Sequence, residues 1–432
     1  MGFDSGAVSF RRFAVVGAGA PASIDQTLLD KLDEHALRPT EMGVPEAVEY
    51  GWSGGRHILD AQFSFERNVF ADALHFALRV DTNRVPPELK RAYQIMEEDA
   101  AAAGNPSQFV SRAQKRDARE VVRRKIEDDL RSGQFRRSRL TPILWDVPSA
   151  TVYCGGGNAV QEKLREIFER TFGLELAPLT SGSLALRAAE SAGRRRELED
   201  LRPTRFVAVL PTAARDGDDD GAGDAPAEYP WAAKSLDQKD FLGNEFLLWL
   251  WHEADRRDGY VALEQSPDGQ GKDEVAVLFD RSLDLDCAFG VTGKASLRAA
   301  GPSRMPESAA ALRAGKVPRK CGLTLEANGA QYSFTLSAET LGVSSLKLPE
   351  VPEADTARVL FEERVGQLRD FCRTLDRLYG VFVRQRLGGG WEGVTLAARR
   401  WIADLGRAKA RPAATRDGGK SGALVEVELA AS

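Results

Sequence analysis

Across residues 356–387 the apolar positions Leu360, Leu368, Phe371, Leu375, Leu378 and Phe382 recur at helical spacing, with charged residues between them. A helix of that length extends about 45 Å, and its apolar stripe needs a broad surface to cover it, which points to a helix lying across a sheet. Alternating segments supply the strands. Residues 57–65 and 73–80 have a period of two, and 9–16, 143–154, 174–179, 206–210, 274–280, 282–291, 294–299, 321–326 and 332–337 read as further strands, with Val147-Pro148-Ser149 at a hairpin turn.

Helical segments lie between them. Ser23-Ile-Asp-Gln26 reads as a capping box ahead of Leu28, Leu29 and Leu32, for a helix to about Leu37. Pro87 opens a helix that runs to Ala103, Gly104-Asn105-Pro106 breaks it, and a strongly basic helix follows from about Gln108 to Leu130. These two form a hairpin projecting from the sheet. Another helix opens at Asn158 and stops at Gly173, and 241–254, FLGNEFLLWLWHEA, has the pattern of a buried aromatic helix. The expected fold class is α+β: antiparallel sheets with packed helices and a projecting basic helical hairpin. Residues 1–86 read as the first part of a central domain, 87–140 as the projecting hairpin and 141–212 as the return to that domain. Residues 213–240 read as an acidic linker or insertion, 241–390 as a second α+β domain holding the long helix, and 391–432 as a short helix with a disordered basic tail.

No stretch approaches the ~18 uninterrupted apolar residues of a membrane span, and the first residues lack the apolar core of a secretory signal, so a cytoplasmic protein without a membrane partner is expected. Cys154, Cys287, Cys321 and Cys372 are widely separated, with no CxxC pair, which argues against a disulfide framework or a zinc site. The net charge of −5 hides a segregation of the two signs. Residues 111–139 carry eleven basic side chains against five acidic, 298–320 six against one, and 399–420 seven against two, leaving the remainder strongly acidic. Such polarity suits a polyanion held on a basic surface.

Enzymatic signatures are weak. Asp216, Asp218, Asp220 and Gly221 begin like a calcium loop, but Ala227 stands where the closing carboxylate is needed. The glycines of Cys154-Gly-Gly-Gly-Asn158 lack a following Gly-Lys-Ser/Thr, and Gly17-Ala-Gly-Ala20 lacks a third glycine. His252-Glu253 has Arg256 where a zinc protease needs its second histidine, and Gly-x-Ser-x-Gly is absent. No catalysis, cofactor or metal is expected. The remaining catalytic alternative is a metal-dependent nuclease using Asp284 and Asp286.

The basic helix is the strongest signal. Arg112, Arg116, Arg119 and Arg123 fall at i, i+4, i+7 and i+11, on one face beside Val122, Ile126 and Leu130, where they can neutralise phosphates without reading bases. The alternative is a solvated helix with internal ion pairs. Arg136 and Arg137 close this cluster. Arg313, Lys316, Arg319 and Lys320 form a second one around a helix stop, at what reads as a sheet edge, with Arg298 and Arg304 just upstream.

At this second cluster, Ala314-Gly315-Lys316-Val317-x-x-Lys320-x-x-Leu323 resembles the AGK-V-x-x-K-x-x-L element of the recombination-associated protein RdgC family. Tyr332-Ser-Phe-Thr-Leu336, Leu346-Lys347-Leu348 and Glu363-Arg364 follow in family order. Gly51-Trp52, the basic helix ending in Phe135-Arg136, Trp145-Asp146, Phe172-Gly173 and Pro178-Leu179 precede it in that order, so the resemblance spans about 8–387. It departs at a 180–240 insertion, at Ala299-Ala300-Gly301, and in the tail after 387.

The resemblance implies a nucleoid-associated, sequence-independent DNA-binding protein. Two copies would close into a homodimeric ring around double-stranded DNA, with single-stranded DNA also open as a ligand, and would restrict a RecA-type recombinase. It places Lys316, Arg319 and Lys320 first among the DNA contacts and Phe135 at the hairpin tip as a dimer contact. A competing reading is a recombination-protein partner that docks through the aromatic helix around Trp249 and Trp251, with DNA secondary.

Overall fold

The computed structural model describes residues 2–38, 47–104, 109–207, 229, 231, 238–263, 273–351 and 354–405. In chain order its elements begin with β1 (Val8–Val16), α1 (Gln26–Glu34), β2 (Val48–Ser53), α2 (Phe65–Asn68), β3 (Val69–Phe70), β4 (Ala73–Asn83), α3 (Pro87–Ala103) and α4 (Arg112–Ser132). There follow β5 (Arg136–Asp146), β6 (Thr151–Cys154), α5 (Asn158–Phe172), β7 (Glu175–Pro178), α6 (Ser181–Ser191), α7 (Arg195–Glu199) and α8 (Leu242–Arg256). The last are β8 (Tyr260–Ala262), β9 (Glu274–Cys287), β10 (Ala295–Ala299), α9 (Pro306–Arg313), β11 (Lys316–Ala327), β12 (Ala330–Ser337), β13 (Val343–Lys347), α10 (Ala357–Leu387) and α11 (Trp391–Asp404).

The class is α+β. All strand pairings among the described residues are antiparallel, and the strands form one continuous sheet in the order β10-β9-β11-β12-β13-β1-β6-β5-β4-β2, with β3 on β4, β7 on β1 and β8 on β9. Strand β1 makes the join. Its Val8 and Phe10 pair with Leu346 and Val343 of β13, whereas Arg11 to Ala14 pair with β6. The two sheets expected from the sequence are thus halves of one.

Each face of the sheet buries its own core. Leu74, Phe76 and Leu78 of β4 meet Leu28, Leu32, Leu164 and Phe168 from α1 and α5 on one face. On the other, α8 and α10 cover the sheet from β9 to β6, with α11 packed against them. Helix α10 crosses the join with the apolar stripe read from the sequence. Its Phe361 ring lies 4.4 Å from Phe70, its Phe371 ring 4.7 Å from Phe334, and its Phe382 ring 5.7 Å from Phe246. Phe371 is fully buried, and truncating such a residue to alanine costs about 3–5 kcal/mol.

Local chemistry moves several boundaries. Asp25, not Ser23, caps α1, accepting from the Leu28 N–H at 3.0 Å, and the helix ends at Glu34 rather than Leu37. Residues 57–65 are no strand. The Asp60 carboxylate accepts from the Arg56 and Gln62 N–H groups and from Arg67, which folds the segment into a loop, and β4 pairs instead with β2. The segments 274–280 and 282–291 are mostly one strand, β9, bent at Arg281, whose φ of 63° lies in the left-handed region. Within the supposed 180–240 insertion stand α6 and α7. The 206–210 strand begins at Phe206 and Val207, which are not strand, and otherwise lies outside the described residues. So do most of the 213–240 linker, with Asp216, Asp218, Asp220, Gly221 and Ala227, and the tail from 406. Among the described residues no helix is long and apolar enough to cross a membrane.

Candidate nucleic-acid interface

The hairpin grows from the ends of β4 and β5, where Asn83 pairs with Arg136. Ser111 caps α4 and exchanges hydrogen bonds with Gln114, while Gly133, at φ 72°, ends it. Ala118 and Val122 are buried against α3, the Tyr93 hydroxyl donates to Asp129 at 2.9 Å, and Lys125 lies 4.1 Å from the Tyr93 ring centre. These contacts fix which side of α4 faces out. Arg112, Arg116, Arg119 and Arg123 are all exposed, and the ridge from the first to the last spans about 16 Å, or roughly five base-pair steps.

The four arginines are not equivalent. Arg123 lies 2.6 Å from Glu120 and 3.9 Å from Glu127, and Arg116 lies 3.9 Å from Asp117. Such exposed pairs contribute 0 to about 1 kcal/mol and yield readily to a phosphate. Arg112 and Arg119 have no carboxylate partner among the described residues. The internally paired helix is therefore realised at Arg116 and Arg123, while Arg112 and Arg119 stand exposed beside them.

At the hairpin root the sequence reading needs correcting. Phe135 is half-buried there, immediately before β5, and the far end of the hairpin carries Phe109 instead, 82% exposed. Arg136 is consumed by the fold: it lies 2.8 Å from Asp81 and 3.0 Å from Glu49, while Arg79 holds the same Asp81 at 2.6 Å. Burial would raise the Asp81 carboxyl, but hydrogen bonds from Arg79 and Ser138 and the charges of Arg79 and Arg136 hold it below its ordinary value. Arg137, one residue on, alternates outward into solvent.

The second cluster differs more. Lys316 to Lys320 begin β11, an interior strand paired with β9 and β12, and not a sheet edge. Gly315, at φ +75°, makes the turn from α9, and a Cβ there would stand 2.9 Å from the Phe289 ring. Lys316 donates to Thr292 Oγ1 at 2.8 Å and to the Gly293 carbonyl. Arg319 donates to Glu339 at 2.9 Å, pairs with Asp286 at 3.4 Å and stacks over Trp231. Arg298 is held by Asp284 at 2.9 Å, and Arg313 donates to the Leu405 carbonyl at 2.7 Å. Lys320 and Arg304 are exposed without an ion pair among the described residues. Five strand spacings separate β11 from β5, about 24 Å, so the two basic clusters do not form one patch.

Asp284 and Asp286 share a face of β9, but cations occupy it. Burial would raise Asp284, yet Arg298 and Ser296 hydrogen bonds hold its pKa below the ordinary value, and Asp286 has Arg319 and, at 3.8 Å, Lys294. Among the described residues no group of three or more His, Cys, Asp or Glu is placed to hold a metal. Trp249 and Trp251 are 3% and 2% exposed, packed against Phe382 and Phe279, and are closed to a docking partner. Sequence reading missed the arginines of α10. Arg369, Arg373, Arg377 and Arg384 recur at spacings of four, four and seven, a polar stripe that could have been read beside the apolar one.

Compared with known protein-family models and with curated proteins, the chain matches none.

Proposed function

We propose that the chain is a sequence-independent double-stranded DNA-binding protein of the RdgC type, cytoplasmic and nucleoid-associated. In this reading it acts as a homodimeric ring that encircles the duplex and restricts a RecA-type recombinase. The observation that carries the DNA reading is the α4 ridge: four exposed guanidinium groups on a projecting hairpin, two of them without a carboxylate partner among the described residues. Guanidinium groups spaced along a helix meet phosphates and release counterions, and nothing in that geometry selects a base. Support for the ring and the recombinase is the ordered series of family-like motifs, from Gly51-Trp52 to Glu363-Arg364.

Contacts are ranked by what the fold leaves available. Arg112 and Arg119 come first, then Arg116, Arg123 and Arg137, with Lys320 and Arg304 on the distant strand cluster as secondary contacts. Lys316, Arg319, Arg298, Arg313 and Arg136 hold the protein together instead. Titrating the full chain with two duplexes of unrelated sequence and equal length tests the reading. Equal affinities are expected; a preference of tenfold or more for either sequence, or no binding to both, would overturn it.

A further inference from the structure

A cavity among the described residues lies away from the hairpin, where α10 crosses β1, the β5–β6 turn and α6. It is an open cleft of about 900 Å³, within the ~300–1,000 Å³ range of small-molecule sites. Six arginines line it: Arg12, Arg187, Arg369, Arg373, Arg377 and Arg384. Only two carboxylates stand against them in the lining, and each is already engaged. Asp376 takes Arg12 in a two-point contact at 2.7 Å and 2.7 Å, and Asp146 takes Arg369 at 2.6 Å.

Two of the other cations are neutralised outside the lining, and a third has no ion pair among the described residues. Arg373 pairs with Asp370 at 2.9 Å on the exposed side of α10, Arg377 with Asp273 at 3.0 Å, and Arg187 is exposed with no ion pair among the described residues. Arg12 adds a second sign. It is 4% exposed, yet its Nε–H has no hydrogen-bond acceptor among the described residues. Burial opposes its charge, while Asp376 carries the pKa above the ordinary arginine value, so the guanidinium stays cationic. Gly380 sits in the middle of the arginine stripe and leaves the cavity floor without a side chain.

We infer that this cavity binds a phosphorylated ligand of nucleotide size, with two or more phosphate groups. Arginine forks match phosphate oxygens in pairs. Leu179, Leu184 and Val381 offer an apolar wall for the organic part. The inference is independent of the DNA reading, because no ridge residue lines the cavity.

Isothermal titration of the full chain with sodium tripolyphosphate and with metal-free ATP tests it. Saturable one-to-one binding is expected, weakened at least tenfold in the Arg187→Glu/Arg373→Glu variant and unchanged in Arg112→Ala/Arg119→Ala. Both substituted pairs are exposed, and an unchanged thermal midpoint verifies folding. No binding by the wild-type chain, or equal affinity in the Arg187/Arg373 variant, would overturn the site. In the Arg112/Arg119 background, displacement of ATP by a 5′-phosphorylated oligonucleotide and not by its 5′-hydroxyl counterpart assigns the phosphate to a strand end. Displacement by neither assigns it to a free polyphosphate, and both results uphold the site.

Discussion

Replacing Arg112 and Arg119 by alanine removes the two ridge cations that no carboxylate neutralises among the described residues. Each phosphate contact on B-DNA contributes about 0.9 to the slope of log K against log salt, so the double variant should flatten that slope by about 1.8. Carried from 1 M down to 0.1 M salt, the same exponent gives about a 60-fold loss of affinity. Arg123 provides an internal contrast. With Glu120 at 2.6 Å it must give up a partner to meet a phosphate, so Arg123→Ala should cost several-fold less than Arg119→Ala. Fluorescence anisotropy with a labelled duplex over a potassium chloride series measures both quantities. The helix itself survives these changes, because Ser111 still caps it and Ala118 and Val122 still bury its inner face. Equal salt slopes for the wild type and the double variant would refute the ridge as a phosphate surface.

Three further perturbations test the fold that carries the ridge and the cavity. His75 packs among Phe3, Phe70 and Phe361, and burial lowers its pKa from 6.5 to about 4. Between those values the unfolded chain takes up a proton that the folded chain refuses, so stability should fall by up to about 3 kcal/mol as pH drops through the window. His75→Phe should flatten this decline in urea titrations from pH 7 to 4, and an unchanged decline would contradict the assignment. Arg386→Met leaves Glu245, fully buried and bound to Arg386 at 2.7 Å, without its counter-charge, and should cost about 3–5 kcal/mol in chemical denaturation. Gly243→Ala should destabilise despite alanine's helix preference, because its Cβ would stand 1.9 Å from the Ala338 carbonyl oxygen; a raised thermal midpoint would contradict that packing.

What could be read from the sequence was whatever local periodicity decides. The end of α3 at Ala103, the α10 stripe and the buried helix α8 stand where their patterns put them; for α8 and α10 this is because apolar residues at helical spacing set a helix wherever their partner lies. Strands were harder. Residues 57–65 alternate but follow Asp60 into a loop, and β9 resembled two strands because one positive φ at Arg281 interrupts its pattern. The joining of the sheet halves rests on Val8 meeting Leu346, a contact that no short window of sequence contains. The same limit governs the site. Spacing alone placed the four α4 arginines on one face, whereas the fates of Arg136 and Arg319 depend on Asp81, Glu49, Asp286 and Glu339, all distant along the chain. The α10 arginines fell between apolar positions, and only the fold put Arg12 and Arg187 beside them.

Encirclement of duplex DNA is tested most directly by loading the full chain on a covalently closed circular plasmid and on the same plasmid made linear, then raising the salt. A closed ring should stay on the circle and slide from the ends of the linear form, because topology holds it after phosphate contacts are screened. Equal loss from both forms, or no loading on either, would contradict the account.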